Sequence, residues 1–292
     1  MDVTLSIERK QKNLDFLRPN PYTDNNRTRH ASDFIMRNPA GLSILVRYLS
    51  MNPYPKRILT IPQQLHRLLF GMATNIEVAL RARLSDALLT YRDALILMDP
   101  AVFSDKKLFW QNLSSLSSQI ARSNDVFICH NFQKHDGEIP LWAAVEVMSF
   151  GTLSKTIKNM KTGKDSAYSV LANYYRYCSP RGKFVKPSLR MLSSWIQSVS
   201  VLRNMCAHNS RIYNRTINTF PELLIADQLD PRPSHNGLYQ ILLAMKYLRP
   251  TDNSWRNFYA ELQTLFRKYS GSFDLNCMNF PSDWTSHLAL DA

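Results

Sequence analysis

Glycine is scarce in this chain, with 8 residues among 292. Strand-like alternation of apolar and polar residues is also absent. A glycine-poor chain that is rich in Leu, Ile and Met favours helices over a turn-rich all-β fold. Hydrophobic residues make up 45% of the sequence, which is enough for a substantial core. We therefore predict an all-α fold.

Long apolar runs are missing as well. No stretch reaches the roughly 18 consecutive apolar residues of a membrane-spanning helix, so we expect no transmembrane helix. The first twenty residues are charged and lack the apolar centre of a secretory signal, which predicts a cytoplasmic protein.

The four cysteines are too scattered for a zinc site or a redox pair, and a cytoplasmic protein is not expected to contain disulfides. His130 and His135 flank a predicted loop, but no cluster of Cys, Asp or Glu accompanies them. A zinc site needs about four such ligands. We therefore expect neither a metal nor another cofactor.

Acidic residues are outnumbered, with 23 Asp and Glu against 36 Lys and Arg, which gives a net charge of +13. Residues 151–220 contain twelve of the basic residues and one acid, so +11 of that charge is concentrated there. Such a concentration suits a polyanion, either nucleic acid or an anionic membrane surface. The alternative is a merely solvated face. We favour nucleic acid and expect no membrane partner.

Helical periodicity organises the chain from about residue 60. Thr60 and Gln63 have capping-box spacing, and apolar residues then recur at helical intervals as far as Leu88. We predict further helices over 105–121, 141–160 (bent at Gly151), 165–177, 188–215, 236–248 and 251–269, with a polar loop over 123–140. These elements indicate an irregular N-terminal segment over 1–60, a helical core over 61–220, and C-terminal helices over 221–292 packed on that core.

The predicted helix over 188–215 has a basic edge. Positions 204, 208, 211 and 215 fall on one face of a helix. They are Asn204, His208, Arg211 and Arg215. Arg203 is one residue off this row, and its long side chain can reach across. Trp195, Val199, Leu202, Met205 and Ile212 form a separate apolar stripe that would seat the helix in the core.

This edge has the groups that metal-independent RNA cleavage requires. The ribose 2′-hydroxyl attacks phosphorus, a base takes its proton, and an acid protonates the leaving 5′-oxygen. Histidine can do this at cytosolic pH, and guanidinium groups bind the charged phosphate oxygens. Two chains about a two-fold axis would bring two histidines together. The alternatives are that His208 is an ordinary surface residue and that the arginines only bind phosphate.

Three blocks of sequence resemble a known family. Arg203-Asn204-x-x-Ala207-His208, followed by Arg211 and Tyr213-Asn214-Arg215, resembles the signature of the Abi-like proteins (AbiD/AbiF type) of bacterial abortive infection. These belong to the HEPN superfamily, which is marked by Arg, four to six residues, then His. Residues 76–84 and 140–155 resemble two further blocks of that family, in the same order. His208-Asn209 stands where the family commonly has His-His.

The resemblance implies a HEPN-type helical bundle, here with additional N- and C-terminal helices, that forms a homodimer. It also implies a metal-independent endoribonuclease toxin of phage defence that cleaves RNA by 2′-hydroxyl attack. Some relatives are bound and restrained by a small structured RNA. In the roles that we expect, His208 is the general acid and base, Arg203 holds the scissile phosphate, and Asn204 orients His208 or the phosphate. The predicted RNA-binding residues are Arg211, Asn214, Arg215, Lys155, Lys158, Lys161, Lys164, Arg181, Lys183 and Lys186.

Several interpretations stay open at this point. Glu77 and Arg81, spaced i, i+4, either border the active groove or form a surface ion pair, and we favour the pair. Glu146 lies in an apolar segment, and if buried it needs a basic partner. Tyr174, Tyr175 and Tyr177 either stack on bases or belong partly to the core.

Two other functions compete with the nuclease. One is a non-catalytic RNA-binding or dimerisation module with the same fold. The other is a DNA-binding regulator, which would need a recognition helix after a short turn. The sequence contains no persuasive example of such a helix.

Overall fold

A computed structural model of the protein describes residues 60–229 and 233–290. Except for Thr60, the N-terminal segment predicted over 1–60 lies outside the described residues. The described residues contain ten α-helices and one two-stranded sheet. They are α1 (Thr60–Leu89), α2 (Lys106–Ala121), α3 (Val126–Lys134), α4 (Leu141–Val147), α5 (Phe150–Lys158), α6 (Ala167–Asn173), β1 (Tyr177–Cys178), β2 (Phe184–Val185), α7 (Leu189–Ala207), α8 (Leu238–Leu248), α9 (Asp252–Lys268) and α10 (Trp284–Leu288).

The prediction of an all-α fold is confirmed, since the sheet is only a hairpin of two-residue strands. The strands are antiparallel, with Tyr177 opposite Val185 and Cys178 opposite Phe184. The turn between them runs from Ser179 to Gly182, and Gly182 adopts a φ of +70° that favours glycine. The hairpin lies between α6 and α7 and adds no second layer.

Two long helices, α1 and α7, form the centre of the fold. They pack against each other, and α7 also contacts α5 and α8, whereas α1 contacts α4, α6, α8 and α9. Leu69, Ile76 and Leu80 of α1 are fully buried, as are Trp195 and Leu202 of α7. Burial of each such side chain stabilises the fold by roughly 1.5–3 kcal/mol. The apolar periodicity of both segments thus fixes which of their faces meet.

The C-terminal helices were predicted closely. α8 and α9 match the helices expected over 236–248 and 251–269. The side chain of Thr251 accepts a hydrogen bond from the Ser254 amide and so caps α9. α9 packs on α1, while α8 packs on α1 and α7.

The prediction of a polar loop over 123–140 is wrong for residues 126–134. Residues 126–134 form α3, which buries Ile128 and Asn131. The Asn131 side chain donates to the Phe127 carbonyl 2.7 Å away. The helix is short and one of its buried residues is polar, so the apolar periodicity that would predict it is weak.

The single bent helix predicted over 141–160 is two helices. Met148 is extended, with ψ 129°, which ends α4. Ser149 then caps α5, and its hydroxyl accepts from the Thr152 amide at 3.2 Å. Serine at this position favours the start of the next helix, because its hydroxyl satisfies a free backbone amide. Gly151, where the bend was expected, lies inside the first turn of α5.

Among the described residues, none of the helices is long and apolar enough to cross a membrane.

Candidate active site

The C-terminal end of α7 carries the residues singled out for catalysis. The Ser188 side chain caps the start of α7, and Trp195 and Leu202 are completely buried. Asn204 and His208 are on the exposed side. The same apolar face that seats α7 in the core therefore directs this polar end toward solvent.

α7 stops at His208 in a Schellman turn. The Ser210 amide donates to the Met205 carbonyl at 2.8 Å, and the Asn209 amide donates to the Cys206 carbonyl at 3.0 Å. Asn209 has a φ of +50°, in the left-handed region that asparagine tolerates better than most residues. His208 is thus the C-cap residue of α7, held by the turn that follows it.

The helix predicted over 188–215 is therefore wrong beyond Ala207. Arg211, Asn214 and Arg215 do not continue the row of Asn204 and His208, since Asn209 reverses the chain first. Arg211 and Asn214 are exposed in the irregular segment that follows, where Arg215 Nη1 donates to the Arg211 carbonyl at 3.3 Å. The Asn-Ser pair after His208 was the available signal, because asparagine is the common alternative to glycine at this position.

Arg203 projects from α7 toward α1. Its Nε lies 3.3 Å from Oε2 of Glu77, and its guanidinium lies 5.7 Å from the centre of the Phe70 ring. Its Nη1 donates to the Asn204 side-chain oxygen at 3.3 Å. The Arg203 side chain is 33% exposed, so it is oriented by the protein and still open to solvent.

Glu77 is the buried centre of an arginine network. It is 5% exposed, and its Oε1 lies 2.6 Å from Arg81 Nη2. Arg81 also donates to the carbonyls of Val145 and Glu146, at the end of α4. The ion pair predicted between Glu77 and Arg81 is therefore present, but it is buried and not on the surface. The sequence showed the i, i+4 spacing but not that α7 covers the pair.

His66 was missed by the sequence analysis. It is 7% exposed on α1, and its Nε2 lies 2.6 Å from the Ser210 carbonyl oxygen. Ser210 belongs to the turn that follows His208. The only signal in the sequence was a histidine next to Leu65, among the regularly spaced apolar residues of α1. This signal does not indicate which group the ring binds.

The predicted RNA-binding residues outside α7 lie on other elements. Lys155 and Lys158 belong to α5, which packs against α7, and Lys161 and Lys164 follow it. Arg181 and Lys183 are in the hairpin turn, and Lys186 follows β2. All seven are exposed. Lys186 Nζ donates to the Ser169 hydroxyl at 2.8 Å, which ties the end of the hairpin to α6.

The tyrosines near Arg176 divide between core and surface. Tyr175 is buried, and burial raises the pKa of its hydroxyl. Tyr174 is exposed, and its hydroxyl donates to Asp86 at 2.5 Å, which raises its pKa. The Arg83 guanidinium lies 5.3 Å and 4.9 Å from the centres of the two rings, in cation–π geometry. Tyr175 is therefore a core residue, as one of the two interpretations had it.

The side chains of three other residues noted in the sequence lie outside this network. Glu146 is exposed, so the need for a buried basic partner does not arise. The rings of His130 and His135 contact each other edge to face at 5.2 Å. In the described part of the chain, no group of three or more His, Cys, Asp or Glu is placed to hold a metal ion.

The arrangement has a clear chemical capacity. An exposed imidazole stands at the end of α7, a little over one turn beyond a partly exposed guanidinium on the same helix. Imidazole can accept and return a proton near neutral pH, and guanidinium can bind a phosphate oxygen through two donors.

A sequence model of the Abi-like protein family matches residues 56–214. The chain belongs to the Abi-like protein family. No curated protein and no solved structure matches it. The matched residues contain α1 to α7 and the turn after α7, so Arg203, Asn204, His208 and the Glu77 network lie within the Abi-like region. The resemblance to Abi-like proteins is thereby confirmed, and the family name associates the chain with abortive infection, a defence against phage.

Cys206 allows a direct check of this end of α7 in the Abi-like protein. It lies between Arg203 and His208 on the buried side, and burial raises the pKa of its thiol to about 12. Because the thiolate is the reactive form, Cys206 should stay unlabelled by iodoacetamide at neutral pH, whereas the exposed Cys178 should react. Mass spectrometry of labelled peptides measures both. Equal labelling of the two thiols in the folded protein would contradict the described packing.

Proposed function

We propose that this Abi-like protein is a metal-independent endoribonuclease toxin of phage defence, of the HEPN type and the AbiD/AbiF subtype. The observation that carries the proposal is that Arg203 and His208 both lie at the C-terminal end of α7, where His208 is exposed and the Arg203 side chain is 33% exposed. They are separated by the four residues of an Arg-x4-His motif. Both belong to the part of the chain that matches the Abi-like family.

Each residue has a defined role in the proposed reaction. His208 takes the proton from the ribose 2′-hydroxyl, which attacks the adjacent phosphorus and expels the 5′-oxygen. An imidazolium protonates that leaving oxygen, so a 2′,3′-cyclic phosphate and a 5′-hydroxyl result. Arg203 binds the non-bridging oxygens as negative charge develops on them. Asn204, which accepts a hydrogen bond from Arg203, helps to orient it.

A homodimer follows from the need for both an acid and a base. Among the described residues of one chain, α7 ends at one exposed histidine, His208. Two chains about a two-fold axis would contribute two, and each could serve one half of the proton transfer.

The basic surface supports RNA as the substrate. Residues 151–220 hold +11 of the net charge of +13. The exposed lysines on and after α5, with Arg181 and Lys183 of the hairpin, would bind RNA phosphates outside the reacting linkage. Arg211, Asn214 and Arg215 remain proposed RNA contacts in the segment after the Schellman turn. A small structured RNA that restrains the toxin would use the same surface.

Cleavage of RNA in the presence of EDTA tests the proposal. The purified full-length protein is incubated with tRNA, and with any RNA that accompanies it from its host. We expect fragments that end in a 2′,3′-cyclic phosphate, identified by mass spectrometry. RNA that is bound in a salt-sensitive manner but never cut would instead support a non-catalytic RNA-binding module.

A further inference from the structure

One edge of α1 contacts both elements on which the proposed chemistry depends. His66, Phe70, Glu77 and Arg81 follow one another at intervals of four, seven and four residues, so they share one face of the helix. His66 is bonded to the turn after His208, and Glu77 is paired with Arg203.

The contact of His66 fixes the position of the turn. The 2.6 Å separation from the Ser210 carbonyl is that of a hydrogen bond in which the ring N–H donates to the carbonyl oxygen. Ser210 is two residues beyond His208, and its own amide closes the Schellman turn on Met205. His66, on a neighbouring helix, therefore holds the backbone of the turn. The position of that backbone determines the position of the His208 side chain.

The contact of Glu77 fixes the direction of Arg203. Glu77 lies between two guanidinium groups, at 2.6 Å from Arg81 and 3.3 Å from Arg203. The Arg203 contact is an ion pair without an aligned hydrogen bond, since in the described part of the chain neither Arg203 Nε nor Glu77 Oε2 has a hydrogen-bond partner. Attraction to Glu77 at the buried Nε therefore orients Arg203, while Nη1 donates to Asn204 and the side chain stays 33% exposed.

We infer that this edge of α1 is the positioning element of the site: Glu77 directs Arg203 toward the phosphate, and His66 holds the turn that places His208. The inference rests on the proposed nuclease function. Neither residue reacts. Each acts through its partner, so its loss slows the chemical step and does not weaken RNA binding.

The first test compares His66→Leu with His66→Gln. A glutamine side chain can place its amide nitrogen near the position of His66 Nε2 and donate to the same carbonyl, whereas leucine only fills space. We expect kcat to fall about tenfold or more in His66→Leu with KM unchanged, and to recover most of its value in His66→Gln. Equal kcat values in the two variants would overturn the role of His66.

A readout independent of activity accompanies this test. The amides of Asn209 and Ser210 are hydrogen-bonded in the turn, and their hydrogen exchange should quicken in His66→Leu and stay like wild type in His66→Gln. If wild-type protein cuts no RNA, the proposed function fails, but the exchange data still decide whether His66 holds the turn. If His208→Ala is inactive and His66→Leu is fully active, only the positioning inference fails.

The second test is a double-mutant cycle on Glu77 and Arg203. Glu77→Gln keeps the shape and removes the charge, and we expect kcat to fall about tenfold without a rise in KM. In protein that already carries Arg203→Lys, the same change should cost less than about twofold, because the partner it acts through is altered. The exposed Glu146→Gln is the matched control and should cut RNA at the wild-type rate.

A full tenfold cost of Glu77→Gln in both backgrounds would overturn the inference. Such additivity would indicate that Glu77 acts through general stability of the helix pair. Melting temperatures of the four proteins of the cycle, measured alongside, show what part of any loss follows from unfolding.

Discussion

Replacing His208 with alanine should lower the rate of RNA cleavage by about 10²–10⁴-fold, the usual contribution of a positioned general acid–base group. The fold should be unaffected. His208 is exposed, and its backbone, with φ −91° and ψ 9°, is open to alanine. We expect the stability to change by no more than about 0.5 kcal/mol, as is usual for surface substitutions. Single-turnover cleavage and thermal melting measure the two effects.

His135→Ala is the matched control for His208→Ala. His135 is exposed and also ends a helix, α3, but it contacts His130 and not the arginine network. The His135→Ala variant should cut RNA at the wild-type rate. If both variants keep full activity, proton transfer by His208 is ruled out, and the assignment of His208 as the general acid and base fails.

Replacing Arg203 with alanine should have two effects. Cleavage should slow by about 10²–10³-fold, which is the typical cost of losing one donor to the charged transition state. Stability should fall by roughly 1–3 kcal/mol, because the buried Glu77 loses one of its two positive partners. Chemical denaturation measures the second effect.

The two effects of Arg203→Ala can be separated. Adding Glu77→Gln removes the buried charge that was left without its partner, so the double variant should regain part of the stability but none of the activity. Arg211→Ala is the control, since Arg211 is exposed beyond the Schellman turn, and it should change cleavage far less. Activity that returned together with stability would assign Arg203 a structural role only.

The parts of the fold that the sequence predicted are those set by local, repeated patterns. The apolar interval in α1, from Leu65 to Leu88, is long enough to fix both the helix and its buried face. Thr251 and Ser188 cap helices through bonds to residues three positions away, so their helix starts can be read directly.

The end of α7 was mispredicted because two local signals compete there. Helical spacing of the basic residues continues through Arg211 and Arg215, whereas Asn209 favours a left-handed turn. The turn prevails because two backbone hydrogen bonds close it and His66 binds the Ser210 carbonyl from another helix. The sequence near residue 209 shows the left-handed preference of Asn209, but it does not show the contact with His66.

The arginine network could not be predicted for a different reason. Glu77, Arg81 and Arg203 belong to two helices far apart in the chain, and whether Glu77 is on the surface depends on how α7 lies across α1. The i, i+4 spacing of Glu77 and Arg81 is common on solvated helices, where it contributes only tenths of a kcal/mol. Burial makes the same ion pair part of the core, and burial depends on how the helices pack together.

The interruption between α4 and α5 has a consequence for this network. In an unbroken helix the carbonyls of Val145 and Glu146 would accept from the amides of Ser149 and Phe150. The chain instead extends at Met148, and the Ser149 amide donates to the Gln119 side chain at 2.6 Å. Two backbone acceptors are thereby released to Arg81. The break between α4 and α5 thus determines where the Arg81 guanidinium, which neutralises Glu77, is anchored. Neither helix contributes a reacting group.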